Sequence, residues 1–465
     1  MTKPIYQICP VDPSIFRAYD IRGIVGSQIN EHVFYTIAKA IGYRLHALGR
    51  TQMVLAKDGR ITSPELAKAL SAGLLDSGID VVDLGAVPTP VMYYATHVTG
   101  IDSGVMITGS HNPSDYNGIK IVLAGTTLAQ DDIQILYELI QTKSWQQGQG
   151  TYQTLANLED YSQRIVSDVV LQRPLRVVAD CGNGIGGVIV PMLLRQLGCE
   201  VIELYCEVDG DFPNHHPDPS VEANLLDLKA AVQMHQADLG LAFDGDADRL
   251  GVITNQGKLI WPDRLLMFYA PHILRTNHAA TIVYDVKCSR HLTQVIQDAG
   301  GIAKMCPTGH SLVKKVMKDE CAALAGEMSG HIFFKDRWYG FDDAVYSACR
   351  LLEILSQSQR SVDEQFLDVP DSLTTPEIKI SIYEDKKFPF MESFTQNAQF
   401  PDAELIYIDG LRVEYAHGWG LLRASNTTPC LVARFEAENA HGLEEIQALF
   451  REQLHALDAT LEIPF

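Results

Sequence analysis

Asp244, Asp246 and Asp248 stand at alternate positions of one short loop, DGDADR at 244–249. Three carboxylates this close repel one another unless a cation lies among them, and an all-oxygen donor set suits Mg²⁺ or Ca²⁺ rather than zinc. An EF-hand is excluded, because its sixth position needs glycine and is Arg249, and its twelfth needs glutamate and is Asn255. Arg249 beside the acids suits an incoming phosphate instead. A second loop, TGSHNP at 108–113, holds Ser110 after small residues that let its hydroxyl stand clear; His111 and, past the turn Asp115–Gly118, Lys120 follow. Serine is a weak nucleophile and needs a base or a metal. The hydrolase elbow G-x-S-x-G is absent, since Asn112 stands two residues after Ser110.

Further loops add polar groups. Gly326–His331, GEMSGH, offers Glu327 and Ser329 for sugar hydroxyls and His331 for moving a proton near neutral pH. Arg423, Ser425, Asn426 and Thr427 supply one cation and three hydroxyl or amide groups, a phosphate cradle. Lys287 and the run Thr308, Gly309, His310 are of the same kind, as is Arg22 with Tyr19 near the N-terminus. Each of these loops, taken alone, also reads as an ordinary polar turn. Gly182–Gly187 matches G-x-G-x-x-G after a strand, with Glu200 and Glu203 about 20 residues on. A dinucleotide site is nevertheless disfavoured: the sister loops described next lack the pattern, and a tight turn explains the glycines. His215 and His216 are adjacent, a poor geometry for one metal, and receive no metal role.

Something must bring these loops together, and an internal repeat does so. Met53–Ala56 ends in Lys57-Asp58-Gly59-Arg60; a helical pattern to Leu75, a glycine at 78 and a second apolar run, Val81–Leu84, follow. The order recurs from Arg176 with Asp180, Gly198 and Val201–Tyr205, and again from Thr281 with Asp285, Gly300 and Ile302–Met305. Strand, polar loop, helix, glycine stop, strand is a βαβ unit of a largely parallel sheet. A spacing above 100 residues means repeated domains rather than a solenoid. A further apolar run in each copy, Gly104–Ile107, Leu239–Phe243 and Ala322–Ala325, leads directly into the serine, aspartate and GEMSGH loops. Ligands of open α/β sheets collect beyond the carboxyl ends of strands, so three domains are expected to contribute to one site. After about residue 368 the pattern changes: Glu377–Ile382, Gly410–Tyr415 and Leu431–Phe435 alternate like antiparallel strands, and Leu443–Leu457 reads as an amphipathic closing helix. Pro370 and the serine-rich 356–361 are expected to form a linker. The expected segments are 1–152, 153–255, 256–368 and 369–465: three similar α/β domains with mixed, largely parallel sheets, then a smaller α+β domain.

Composition agrees. At roughly 100–200 residues per domain, 465 residues predict three or four domains. Hydrophobic residues at 46% and charged ones at 20% are ordinary for a globular protein, not a disordered one. A net charge of −21 disfavours nucleic acid and anionic membrane as partners, so an anionic substrate needs locally gathered cations. No apolar run reaches the 18 or so residues of a membrane span, and Met1–Pro10 lacks a signal-peptide pattern, so a cytoplasmic location is expected. Nine scattered cysteines without C-x-x-C argue for reduced thiols.

A metal loop, a serine, an acid/base candidate and phosphate cradles at equivalent strand ends fit phosphoryl transfer, where positioning and charge neutralisation do most of the work. In the ordered set TGSHNP, DGDADR, GEMSGH and RASNT, with FRAYDIRG at 16–23, the chain resembles the α-D-phosphohexomutase family, its bacterial phosphomannomutase/phosphoglucomutase branch, over essentially its whole length. The resemblance implies four domains around a central cleft, with Ser110 as the phosphorylated serine and Asp244, Asp246, Asp248 and the Ser110 phosphate as Mg²⁺ ligands. Glu327 and Ser329 would read sugar hydroxyls, and Arg423, Ser425, Asn426 and Thr427 would grip the non-reacting phosphate. Tyr19, Arg22, His111, Lys120, Arg249, Lys287, Thr308, Gly309, His310 and His331 would complete the site, with Lys120 and His331 as alternative general acid/base groups. Gly109 stands where the family often has alanine, a small difference on size alone. The implied reaction interconverts hexose 1-phosphate and hexose 6-phosphate, of mannose or glucose, through hexose 1,6-bisphosphate as intermediate and activator. A phosphoglucosamine mutase, a Mg²⁺-dependent sugar phosphatase and a non-catalytic sugar-phosphate sensor are the alternatives. Small hexose phosphates are the expected partners, and the oligomeric state is left open between monomer and weak dimer.

Overall fold

The apolar runs singled out above form strands that recur in one order. In a computed structural model describing residues 6–426 and 428–465, Gln52–Lys57 lies between Gly104–Ile107 and Asp80–Ala86, parallel to both. Arg176–Asp180 lies likewise between Leu239–Phe243 and Glu200–Leu204, and Thr281–Asp285 between Leu324–Gly326 and Ile302–Cys306. The sequence places the third of these runs at 322–325; the strand begins two residues later. Antiparallel strands extend the first sheet (Tyr116–Leu123, Ile21–Ile24) and the second (Leu250–Thr254, Leu259–Ile260), so these sheets are mixed. Each crossover helix stops near a glycine with positive φ: Gly78 at +80°, Gly198 at +93°, Gly300 at +78°.

The packing forms two compact units: residues 1–262 with 329–367, and 263–328 with 368–465. In the first unit, Glu31–Ala47 and Ser63–Leu75 pack together over the sheet through Ile37, Ile41, Leu70 and Leu74, all buried. Each such aliphatic side chain contributes roughly 1.5–3 kcal/mol. Asn30 caps the former helix, its side chain accepting from Val33 N at 3.1 Å. The helix of the second repeat is short. A 3₁₀ turn, Ile185–Val188, precedes Val190–Gln196, because Gly182–Gly187 is spent on close packing rather than on a phosphate-binding helix start. The 356–361 stretch is not a linker: Ser356 is the buried last residue of Ala344–Ser356, and Ser361 caps Val362–Phe366 with a full capping box. Serine suits helix ends as well as linkers, which is why composition misleads here.

The second unit carries the parallel trio around Thr281–Asp285 and an antiparallel sheet ordered Leu373–Thr374, Cys430–Ala437, Gly418–Ala424, Leu411–Tyr415, Glu404–Ile406, with Ile378–Ser381 also on Cys430–Ala437. Its far face packs on the closing helix Ala440–Leu457 through Phe435, Ile446 and Phe450. Seven of the nine cysteines are buried free thiols. No helix among the described residues is long and apolar enough to cross a membrane.

Candidate active site

In the first unit Gly104–Ile107 delivers the chain into the serine loop. Ser110 is buried with φ +48°, a left-handed conformation that costs a non-glycine residue about 1–2 kcal/mol. Its N–H donates to Thr108 Oγ1 at 2.7 Å, and its Oγ donates to Asp244 Oδ2 at 2.9 Å and lies 3.2 Å from His111 Nδ1. The two loops meet because residue 245 is glycine: a Cβ there would run into the Ser110 carbonyl oxygen.

Asp244, Asp246 and Asp248 are buried, and one oxygen of each lies within 4.8 Å of the others. Asp244 Oδ1 accepts from the N–H groups of Asp248 (3.0 Å) and Arg249 (3.1 Å), which curls the loop around its carboxylates. Lys120 Nζ donates to Asp246 Oδ2 at 2.7 Å and to Asp248 Oδ2, and Thr89 Oγ1 donates to Asp246 Oδ2 at 2.6 Å. Asp246 Oδ1 is buried and accepts no hydrogen bond among the described residues. A buried carboxylate oxygen of this kind, with two more carboxylates beside it, fits a hard divalent cation. Burial and the neighbouring Asp248 and Asp246 push Asp244 well above the usual carboxylate range. Burial acts the same way on Asp248, but Lys120 and His331 outweigh it and hold Asp248 well below that range. Burial would discharge Lys120; Asp246 and Asp248 outweigh it and keep the ammonium charged.

Cations and histidines ring this centre. Arg22 Nη1 donates to Asn112 Oδ1 at 3.1 Å and Nη2 pairs with Asp20. Tyr19 is half-buried in the bend before Ile21–Ile24. Arg249 Nε donates to His331 Nε2 at 3.3 Å, and His331 Nδ1 lies 3.0 Å from Ser329 Oγ. His331 Nε2 is also 3.3 Å from Asp248 Oδ1, and Asp342 joins these two in a buried cluster. Loss of water, Arg249 and Arg22 hold His111 well below its ordinary value, so its ring is neutral.

The second unit carries the other residues. Lys287 Nζ donates to Glu377 Oε1 at 2.6 Å and lies 3.6 Å from Asp285 Oδ2. Asp285 also accepts from Thr308 Oγ1 (3.1 Å) and Met328 N (3.2 Å), tying three loops together. Gly309, at φ +134°, donates its N–H to buried Glu327 Oε1 at 2.6 Å, and His310 opens the helix His310–Asp319. Arg423 Nε donates to Asp409 Oδ2 at 2.9 Å, and the same oxygen accepts from Thr308 N at 3.1 Å. Ser425 Oγ lies 2.8 Å from Thr428 Oγ1, and Asn426 is half-buried beside it. Thr427 lies outside the described residues.

Sequence reasoning passed over Thr89, Asp342 and Asp409, each joined to the site by long-range contacts that periodicity does not register. It also passed over the carboxylates of Asp58 and Asp285, for which the repeat held a signal. Asp58 directly follows the first strand of its copy and Asp285 ends that of its own, and both accept from the second residue of the loop after the neighbouring strand, Gly109 N and Met328 N, each at 3.2 Å. Gly109 needs correction as well: an added Cβ would lie 2.5 Å from Cζ and Nε of buried Arg60, so glycine and alanine are not equivalent here.

Comparison with known proteins identifies the arrangement. Four family models match in order: phosphoglucomutase/phosphomannomutase alpha/beta/alpha domain I at residues 13–147, domain II at 158–257, domain III at 261–372 and the C-terminal domain at 378–453. The phosphomannomutase/phosphoglucomutase of Pseudomonas aeruginosa is 53% identical over 452 residues, covering 97% of this chain and 98% of the relative. The phosphoglucomutase of Neisseria gonorrhoeae is 48% identical, with 94% and 96% covered. The crystal structure of a phosphoglucomutase/phosphomannomutase family protein from Burkholderia thailandensis superposes with a TM-score of 0.94 at 45% identity, covering 98% of this chain and 100% of that one. The chain belongs to the α-D-phosphohexomutases, in the bacterial phosphomannomutase/phosphoglucomutase branch, and is an isomerase acting on hexose phosphates.

Proposed function

We propose that the chain interconverts the 1- and 6-phosphates of mannose and glucose with Ser110 as the phosphoryl carrier. The observation that carries this reading is the 2.9 Å hydrogen bond from Ser110 Oγ to Asp244 within the buried aspartate triad. Phospho-Ser110 gives its phosphoryl group to O6 of a hexose 1-phosphate, so the P–Oγ bond breaks as the P–O6 bond forms. The resulting hexose 1,6-bisphosphate turns end for end and returns the phosphoryl group on O1 to Ser110, leaving hexose 6-phosphate. Asp244, Asp246 and Asp248 would hold Mg²⁺, which when bound neutralises charge on the transferring group. Lys120, 2.7 Å from Asp246, and His331, 3.0 Å from Ser329, are the two candidates for taking the proton of the attacking hydroxyl and returning one to the leaving Oγ. Arg22, Arg249 and Tyr19 face the reacting phosphate, with neutral His111 beside the carrier Oγ. Glu327 and Ser329 read hydroxyls; Lys287, Thr308, Gly309 and His310 complete the sugar site; Arg423, Ser425, Asn426 and Thr427 grip the second phosphate. In this reading the segments 1–152, 153–255, 256–368 and 369–465 each carry one of the four loops.

Phosphorus NMR with Mg²⁺ and a trace of glucose 1,6-bisphosphate tests this, with mannose, glucose and glucosamine 1-phosphates in separate tubes. Conversion of the first two to 6-phosphates without free phosphate is expected. Steady release of inorganic phosphate would make the protein a phosphatase, and turnover of glucosamine 1-phosphate alone would move it to the amino-sugar branch.

A further inference from the structure

Beneath the serine loop lies Arg60, from the polar loop that follows the first repeat strand and outside the four site loops. Arg60 keeps 2% of its surface exposed, yet both of its Nη atoms donate twice. Nη1 donates to the carbonyls of Pro113 (2.5 Å) and Tyr116 (3.0 Å), and Nη2 to those of Ser110 (2.8 Å) and Asn112 (2.6 Å). One side chain thus holds four carbonyl oxygens of the segment 110–116. Its own place is fixed in turn. Asp58 Oδ2 lies 3.3 Å from Nε and also accepts from Gly109 N at 3.2 Å, while Asp58 Oδ1 accepts from Arg60 N at 3.0 Å and Ser63 Oγ at 2.6 Å. Phe212 packs on the guanidinium, with Cζ 5.0 Å from the ring centre. The bare Cα of Gly109 lets the guanidinium lie against the loop.

We propose that Arg60 is the positioning residue of the phosphoryl carrier: through these four bonds it holds Ser110 in its left-handed conformation, with Oγ aimed at Asp244. The inference rests on the reading of Ser110 as carrier. A serine at φ +48° does not stay there unaided, since the ordinary conformations are lower in energy by about 1–2 kcal/mol. Four carbonyls converging below the loop need donors in a fixed plane. A guanidinium supplies five N–H groups in a rigid fork; an ammonium is a point charge with three. With the carbonyl dipoles turned toward Arg60, their negative ends point away from the Oγ that must carry a dianionic phosphoryl group. The carrier must be met in line twice in each cycle, and a misplacement of about 1 Å costs on the order of 10²-fold in rate.

The test compares Arg60→Lys and Arg60→Ala with Arg350→Lys. Arg350 is another buried arginine, paired with Asp336 in the helix Ala344–Ser356. Readouts are kcat and KM for glucose 1-phosphate, the rate of Ser110 phosphorylation by glucose 1,6-bisphosphate followed by intact mass, Mg²⁺ binding by calorimetry, and the melting temperature. In Arg60→Lys, kcat and the phosphorylation rate are expected to fall together by about 10²-fold, with KM and Mg²⁺ affinity within about threefold of wild type. Arg350→Lys should lose melting temperature without this loss of rate, and millimolar guanidinium should restore part of the activity of Arg60→Ala. An Arg60→Lys enzyme phosphorylated at the wild-type rate would overturn the proposal, as would a rate loss no larger than that of Arg350→Lys at equal loss of melting temperature. Wild-type protein that turns over without ever acquiring a phosphoryl group on Ser110 would instead overturn the carrier reading, and the proposal with it.

Discussion

At the scale of the residue, the centre is a set of buried charges that satisfy one another incompletely. Asp246 spends Oδ2 on Lys120 and Thr89, and its Oδ1 accepts no hydrogen bond among the described residues, so its charge is partly reserved for a ligand. Asp246→Asn should therefore keep the fold, because an amide fills the same volume, while calorimetric Mg²⁺ binding drops to the detection limit; undiminished binding would remove Asp246 from the ligand set. Ser110→Ala deletes the carrier and one hydrogen bond to Asp244, a bond between side chains worth about 1 kcal/mol. Its melting temperature should stay within a few degrees of wild type while turnover falls by at least about 10³-fold. An alanine variant that still turns over at wild-type rate would end the phosphoserine mechanism.

At the scale of the element, the helix Lys387–Asn397 packs Met391 and Phe394 into the core and turns a buried lysine toward the phosphate loop, Lys387 Nζ donating to Thr428 O at 3.2 Å and to Glu384 at 2.7 Å. Lys387→Met should leave Thr428 O without this donor and slacken the loop. The expected signature is a KM for glucose 1-phosphate raised about tenfold with kcat nearly unchanged, the pattern of lost uniform binding; an equal loss in kcat would mean the loop acts in the chemical step. The elements differ in how well they can be read from sequence. The three strand–helix–strand repeats were legible because apolar runs, polar loops and glycine stops are local signals. Gly418–Ala424 was passed over: as a central strand buried on both faces it has no alternation. The serine, aspartate and GEMSGH loops were legible as residue types at strand ends. Their supports were not. Arg60, Thr89 and Asp409 look like any polar residue until the chain brings Pro113, Asp246 and Arg423 to them.

At the scale of the whole molecule, neither compact unit is one continuous stretch of chain. Within the first, Tyr161 Oη donates to Asp343 at 2.8 Å, Tyr346 Oη to Asp168 at 2.7 Å, and Gln172 N to Ser356 Oγ at 2.9 Å, all joining residues before 262 to residues after 329. A fragment of residues 1–262 would expose the buried Tyr161, and its near-ultraviolet circular dichroism should lack the native signal; a native-like spectrum would show that 329–367 is dispensable. The second unit offers a cleaner handle on stability. Burial alone would raise Glu377, but Lys287 at 2.6 Å, with Arg423 and Arg434 near, depresses it from the ordinary 4.5 to about 2. A carboxylate whose value falls on folding stabilises the native state above its unfolded value and loses that contribution as pH drops toward the folded one. Glu377 should thus stabilise the protein fully above about pH 4.5 and progressively less down to about pH 2. With 36% of the side chain in water, screening keeps the contribution small. Glu377→Gln mimics the protonated form, so its melting temperature should lie below that of wild type at pH 7 and approach it as pH falls from 4.5 to 3. The other carboxylates titrate alike in both proteins and cancel in the difference. A difference that stays constant across this range would show that Glu377 carries no shifted charge.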